Sequence, residues 1–229
     1  MVVAGKVFVV AEPIGLDELR SALSGFRHEE EREEDGQVFK LVREIRDLME
    51  REGALMGIYA EDFLMRVFHR GEARLVPRTM EALFCFAEHG GRVFLVVLEK
   101  KRRANFVANR LSELVFGEVG SIVEARIPPE ELEEFHKRNP EETKVIFFDN
   151  VDIPNVNKLA LYGPDLVNTE LFERYKAHGD IWYVVSRASG YDYTVGITRD
   201  GCVVIFNTSD RMRFLDYVLK EVLPMISVE

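Results

Sequence analysis

The dipeptide Asp200-Gly201 stands between two strand-sized apolar runs, 194–198 and 202–206. A two-residue turn of this kind needs positive φ at both central positions, which Asp and Gly tolerate, and strands joined so tightly pair antiparallel. A further run over 180–186 extends the pair to a three-stranded meander. Earlier in the chain, Gly90-Gly91 precedes the clearest strand, 93–98. Gly71 and Pro77 punctuate strand candidates over 54–60, 63–69 and 83–86, with His69-Arg70-Gly71-Glu72 as a hairpin turn. Strands are also expected over 6–11, 121–127 and 144–148.

Helical spacing separates these strands. Leu16, Leu19, Ala22 and Leu23 predict a short helix with Asp17 and Glu18 in its first turn. Val38, Leu41, Val42, Ile45, Leu48 and Met49 fall at helical spacing and end at Gly53, predicting a second. Further helices are expected over 106–115, 129–138, 169–177 and 210–223. The charged stretch 27–35 reads as a solvated loop or exposed strand end, and 150–164 as a polar connection. The expected class is therefore α+β, mainly antiparallel sheet with flanking helices.

The two halves, 1–119 and 120–229, show similar cadence and are expected to pack as one unit. Residues 9–19 lie over 122–132, placing Ile14 on Ile127 and Leu19 on Leu132. Val96 to Leu98 followed by Phe106, Leu111 and Glu113 matches Val204 to Phe206 followed by Phe214, Leu219 and Glu221. This suggests duplicated strand–helix–antiparallel-sheet–helix halves. Two such halves would resemble, in element order alone, the saddle of the TATA-box-binding protein; no motif is matched and no residue carries over.

Composition closes off several classes. With 47% hydrophobic and 31% charged residues, the 229-residue chain can bury a real core. Its longest apolar run is strand-sized and the apolar stretch 7–10 is too short for a secretory signal, so neither a membrane span nor such a signal is expected. A cytoplasmic address follows as the expectation. Cys85 and Cys202 lie in separate apolar runs and form no CxxC pair, so buried thiols are expected. A single Gln against 28 Glu and 9 Lys is the composition of a heat-adapted protein.

The net charge of −10 hides an asymmetry: residues 63–110 hold ten basic and four acidic side chains, a net of +6. One basic region on an acidic body can collect an anion. Lys100, Lys101, Arg102 and Arg103 stand at the beginning of a helix, where they oppose its dipole. Arg66 and Arg70, an even number of residues apart, would share one side of a strand.

Motifs for catalysis are sparse. The run 144–149 has the shape of a Walker B strand, but no phosphate-cradling GxxxxGK follows or precedes it, and GxGxxG, GxSxG and HExxH are also missing. The five His are scattered. Asp149 and Asp152, followed by Asn155 and Asn157, offer oxygen donors for magnesium or calcium, yet their spacing fits no EF-hand, and turn hydrogen bonds explain them more simply. The polar-aromatic loop 186–193 is a further place for a ligand.

The leading expectation is a non-catalytic binding module that engages nucleic acid or another polyanion through Arg66, Arg70, Lys100, Lys101, Arg102 and Arg103, without cofactor. The alternatives are a metal-dependent phosphate or nucleotide hydrolase using Asp149 and Asp152, and a homodimeric scaffold or a surface for an acidic protein.

Overall fold

The structure, a computed structural model, describes residues 2–138, 143–188 and 190–227. Its first half comprises β1 (Val3–Val10), α1 (Leu16–Leu23), β2 (Arg27–Glu34), β3 (Gln37–Arg51), β4 (Ala54–His69), β5 (Glu72–His89), β6 (Arg92–Val97) and α2 (Lys101–Phe116). The second comprises β7 (Ile122–Glu124), α3 (Pro129–Lys137), β8 (Val145–Asp149), β9 (Leu159–Tyr162), α4 (Glu170–Lys176), β10 (Asp180–Arg187), β11 (Thr194–Thr198), β12 (Cys202–Ile205) and α5 (Arg211–Tyr217). The α+β, mainly antiparallel expectation holds. Every strand pairing among the described residues is antiparallel, and no helix among them is long and apolar enough to cross a membrane.

All twelve strands join one sheet in the order β2-β3-β4-β5-β6-β1-β12-β11-β10-β8-β9, with β7 paired to β1. Strand β1 sits at the seam: Lys6 to Val9 pair with β6, Val3 to Lys6 with β12, and Phe8 to Val10 with β7. The first half therefore runs 2-3-4-5-6-1, whereas β7, the strand that would correspond to β1, does not pair with β12. A duplication is not shown by this order.

Four successive hairpins build the first half, each on a two-residue turn with positive φ at both positions: Asp35-Gly36, Glu52-Gly53, Arg70-Gly71 and Gly90-Gly91. The expected helix over 38–49 is a strand instead, because Asp35-Gly36 and Glu52-Gly53 close hairpins on both sides of it. The segment 27–35, expected as loop or strand end, is paired over its length with β3 as an exposed edge strand. The separate strands expected over 54–60 and 63–69 are one continuous strand, β4, and 83–86 is the inner end of β5. Within the polar connection over 150–164, Leu159 to Tyr162 pair with β8 as an edge strand. The β11–β12 hairpin exists, but its turn spans Arg199, Asp200 and Gly201, and of these only Gly201 has positive φ.

Each side of the sheet has its own core. Val7 and Val9 of β1 point toward α3, α4 and α5, joining Phe135, Phe172, Phe214 and Tyr217. Phe8 and Val10 point the opposite way, toward α1 and α2, joining Leu19, Leu23, Val107 and Leu111. Gly5 lets α5 close onto the sheet, since a Cβ there would lie 2.7 Å from the Phe214 ring.

Beyond Glu61 the sheet divides into two ribbons. Strand β3 pairs with β4 only as far as Arg43 opposite Glu61, after which β2–β3 and β4–β5 continue separately. The Asp62 carboxylate bridges the fork, accepting from the Val42 backbone at 3.0 Å and the Thr79 hydroxyl at 2.6 Å.

Candidate functional site

The burial of β8 and β12 alternates residue by residue, and in β11 Val195 and Ile197 are sealed on either side of a buried Gly196: one set of side chains lies under α3, α4 and α5, and the other, Gly196 apart, is half-exposed. Helices α1 and α2 cover that second side only over the first-half strands, so β12-β11-β10-β8-β9 present an open face among the described residues. Its floor is aromatic. Phe147 sits at the centre, 5.8 Å from Tyr162, 5.6 Å from Trp182 and 5.6 Å from Tyr183, ring centre to ring centre. A bulge on β10 between Ile181 and Tyr183 puts two consecutive rings, Trp182 and Tyr183, against Phe147. Gly196 seats Tyr183, for a Cβ there would meet its hydroxyl at 2.7 Å. Tyr162 is 69% exposed, and the Lys158 ammonium stands 4.7 Å over the Trp182 ring. The Trp182 Nε1 is shielded from solvent and has no hydrogen-bond partner among the described residues.

Along the β1 margin of this floor runs a polar seam. Lys6 is fully buried, yet its Nζ donates to Glu124 at 2.5 Å and to Asp200 at 3.4 Å. Asn105 donates to Glu124 at 2.8 Å, Thr198 to Asp200 at 2.5 Å, and Lys101 reaches Asp200 from the first turn of α2. Burial would raise the pKa of Asp200, but the hydrogen bonds from Lys101 and Thr198 and the charge of Lys6 outweigh it and hold the carboxyl well below the usual range. Burial likewise works against Glu124, and the bonds from Lys6 and Asn105 prevail, lowering it. The seam is an ion-pair network that fastens α2 to the β11–β12 turn, with the Asn105 Oδ1 left without a partner among the described residues.

The structure separates the sequence-predicted basic residues into two groups. Arg66 lies on the outer part of β4, 3.0 Å from Asp35, and Arg70 forms the β4–β5 turn. Lys100, Lys101, Arg102 and Arg103 occupy the start of α2, where Lys101 is held by Asp200 and Arg103 lies 3.5 Å from Glu99. Val97, at the end of β6, is opposite Phe84, twelve residues along β5 from Glu72. At strand rise the two groups are about 40 Å apart. They do not make one patch.

Asp149 and Asp152 do not converge either. Arg199 grips Asp149 with two hydrogen bonds, 3.0 and 2.8 Å, while Asp152 meets the His178 ring at 2.7 Å. Neither joins a group of three or more metal-ligating side chains among the described residues. In the loop over 186–193, Tyr191 and Tyr193 stack at 5.6 Å and pack edge-on against Tyr217, so its rings are anchored to α5; Ser189 lies outside the described residues. Cys85 is buried, and burial pushes its thiol up to about 12; Cys202 is half-buried on the floor, its thiol also raised by burial.

The aromatic floor escaped sequence reasoning because 144–148 reads as a strand buried on both sides. Its signal was the alternation itself: aliphatic or aromatic Ile146 and Phe148 on the covered side, and Phe147 beside Trp182 and Tyr183 on the other. Compared with known protein families and with characterised proteins, the chain matches none.

Proposed function

We propose that the open face binds single-stranded nucleic acid without regard to base sequence, stacking bases on Tyr162, Phe147, Trp182 and Tyr183. The observation that carries this reading is the continuous run of four rings on a side of the sheet that no described helix covers. Rings on an open antiparallel sheet offer flat π surfaces to any base, and each stacked base contributes about 1–3 kcal/mol. Lys158 over Trp182 supplies a cation at one end of the strands. Lys100, Arg102 and Arg103 lie within one helical turn of Lys101, which already touches the β11–β12 turn, and would meet phosphates along the margin. Arg66 and Arg70, at the far end of the molecule, take no part.

The net charge of −10 opposes long-range attraction of a polyanion, so binding rests on stacking more than on charge. A shallow salt dependence follows. Trp182 is the only tryptophan, and its fluorescence reports directly on the floor. Titration with oligothymidylate of about ten nucleotides, within the range of single-strand sites, should quench it. Tyr162→Ala should weaken binding by roughly 5- to 150-fold, the equivalent of one stacked base. Replacing Lys100, Arg102 and Arg103 by Gln should reduce the slope of log affinity against log salt by about 0.7 for each phosphate no longer neutralised. Unchanged Trp182 emission across the titration, or equal affinity of the Tyr162→Ala variant, would exclude this function.

A further inference from the structure

We propose that two copies of this chain associate through their arms, the β4–β5 ribbon of each lying on the β2–β3 hairpin of the other. Past the fork at Asp62, the ribbon carries apolar side chains that are exposed or only partly covered among the described residues. On one side, the cross-strand pairs Phe63–Arg78, Met65–Val76 and Val67–Arg74 form an apolar row framed by two arginines. On the other side lie Leu64, Leu75 and Phe68. Phe63 is 43%, Met65 37% and Phe68 74% exposed. A two-stranded ribbon cannot bury either side against itself, so these side chains call for a partner.

Charge identifies that partner as a second copy. The neighbouring hairpin carries Glu29, Glu30, Glu31, Glu33 and Glu34 along β2, with Asp35 at its turn. Glu30, Glu31 and Glu33 have no basic partner among the described residues, and Arg70 and Arg78 have no acidic one. One chain thus holds two adjacent arms of opposite sign, each with unmatched charges. A twofold axis sets the basic arm of each copy on the acidic arm of the other and makes the same interface twice. The Arg66–Asp35 pair at 3.0 Å already joins the two arms within the chain by the same chemistry. Exposed Val38 on β3 adds an apolar counterpart for the Phe63–Met65 row.

Association proceeds through faces rather than through an added strand. In a two-residue hairpin the pair flanking the turn exchanges both hydrogen bonds and the pattern alternates, so Pro77, opposite Leu64, falls at a non-bonded pair. The position of its missing N–H therefore faces the outer edge of β5, where β6 does not reach. That closes the edge to open-ended pairing and leaves a closed dimer.

The test is sedimentation equilibrium of the full chain across concentrations centred on about 10 μM, the affinity range of a small interface. The wild type should move from 26.4 kDa toward twice that mass. Phe63→Glu with Met65→Glu should give a monomer throughout, and at concentrations well below about 10 μM, where the wild type is also monomeric, it should melt at the wild-type temperature, since both side chains are exposed in the single chain. Arg74→Glu with Arg78→Glu should also dissociate the pair, and adding Glu31→Lys and Glu33→Lys to that chain should restore it. Tyr162→Ala should leave the mass unchanged, which keeps this result separate from nucleic-acid binding at the open face. The proposal is overturned by a wild type that stays monomeric, by a dimer indifferent to Phe63 and Met65, or by a dimer lost with Tyr162→Ala. Sedimentation of the monomer with phosphatidylglycerol vesicles would overturn it in favour of a lipid surface.

Discussion

His136 is fully buried on α3, its Nδ1 2.7 Å from the Thr143 hydroxyl and its ring centre 4.9 Å from that of Phe172. Thr143 in turn donates to Ser186 at 3.1 Å, so the imidazole Nδ1–H donates to Thr143, and Nε2 is left without a partner among the described residues. Burial pushes this histidine down to about 4, with the Glu133 charge opposing and Lys137 assisting. The unfolded chain takes up the proton near pH 6.5, whereas the folded chain resists it until about pH 4. The neutral ring's contribution is therefore present above pH 6.5 and is lost as the pH falls. By linkage the wild type should lose roughly 3 kcal/mol across that window, about 1.4 for each pH unit. His136→Asn, whose amide nitrogen takes the place of Nδ1 as a donor for Thr143 and does not titrate, should remove this component. Urea unfolding of both proteins at pH 7, 5.5 and 4.5 measures it. Parallel pH profiles would show that His136 is not the responsible group.

At the scale of single elements, β3 shows how far the sequence can be read and where it stops. Ile45 and Leu48 both pack toward α1 and α2 because Asp47, at φ 51°, bulges the strand and shifts its register between Arg46 and Met49. A bulge brings residues three apart onto one side, which reproduces the spacing of a helix. The turn at Asp35-Gly36 was the contrary signal, as clear as Asp200-Gly201 farther on. The helices α1, α2 and α3 and the strands β1 and β6 were legible because periodicity and caps agree there. The open face was not, because no local pattern states which side of a strand a distant helix will cover. Pro77 makes the same point: read as punctuation, it sits inside β5 at the unpaired edge. Replacing it with Thr should leave stability within about 0.5 kcal/mol, as for other surface changes, while restoring a donor to the edge. Higher-order species in light scattering, absent from the wild type, are the expected result. A Pro77→Thr variant as well-behaved as the parent would deny Pro77 that protective role.

For the molecule as a whole, charge and topology divide the labour differently from the order of the chain. The basic segment over 63–110 is contiguous in sequence but is drawn out along β5 until its ends are separated by most of the strand's length. The ion pairs follow the same logic: Lys101 and Arg66 are matched to Asp200 and Asp35 from distant parts of the chain. The two sequence halves are also not autonomous. The core beneath α3, α4 and α5 takes Val7, Met56, Cys85 and Phe94 from the first half and Ile146, Phe148 and Val203 from the second. We expect fragments 1–119 and 120–229, expressed separately, to lack cooperative unfolding transitions, and mixing them to restore one. Calorimetry of each fragment and of the mixture decides this. A cooperative transition in fragment 1–119 alone would mean that its six strands suffice.

The central place of β1 carries a consequence for how the chain is made. Lys6 on β1 finds Asp200 only 194 positions later, and the β12 strand that completes its edge follows directly after. During synthesis on the ribosome, the hairpins from β2 to β6 can close as they emerge, since their pairing is local. Strand β1, paired on one side with β6 and along Phe8 to Val10 of its other edge with β7, must keep the Val3–Lys6 part of that edge open until nearly the whole chain has been translated. A nascent chain of this topology spends most of its synthesis with a hydrophobic strand edge exposed, the condition under which chaperones bind and neighbouring nascent chains mispair.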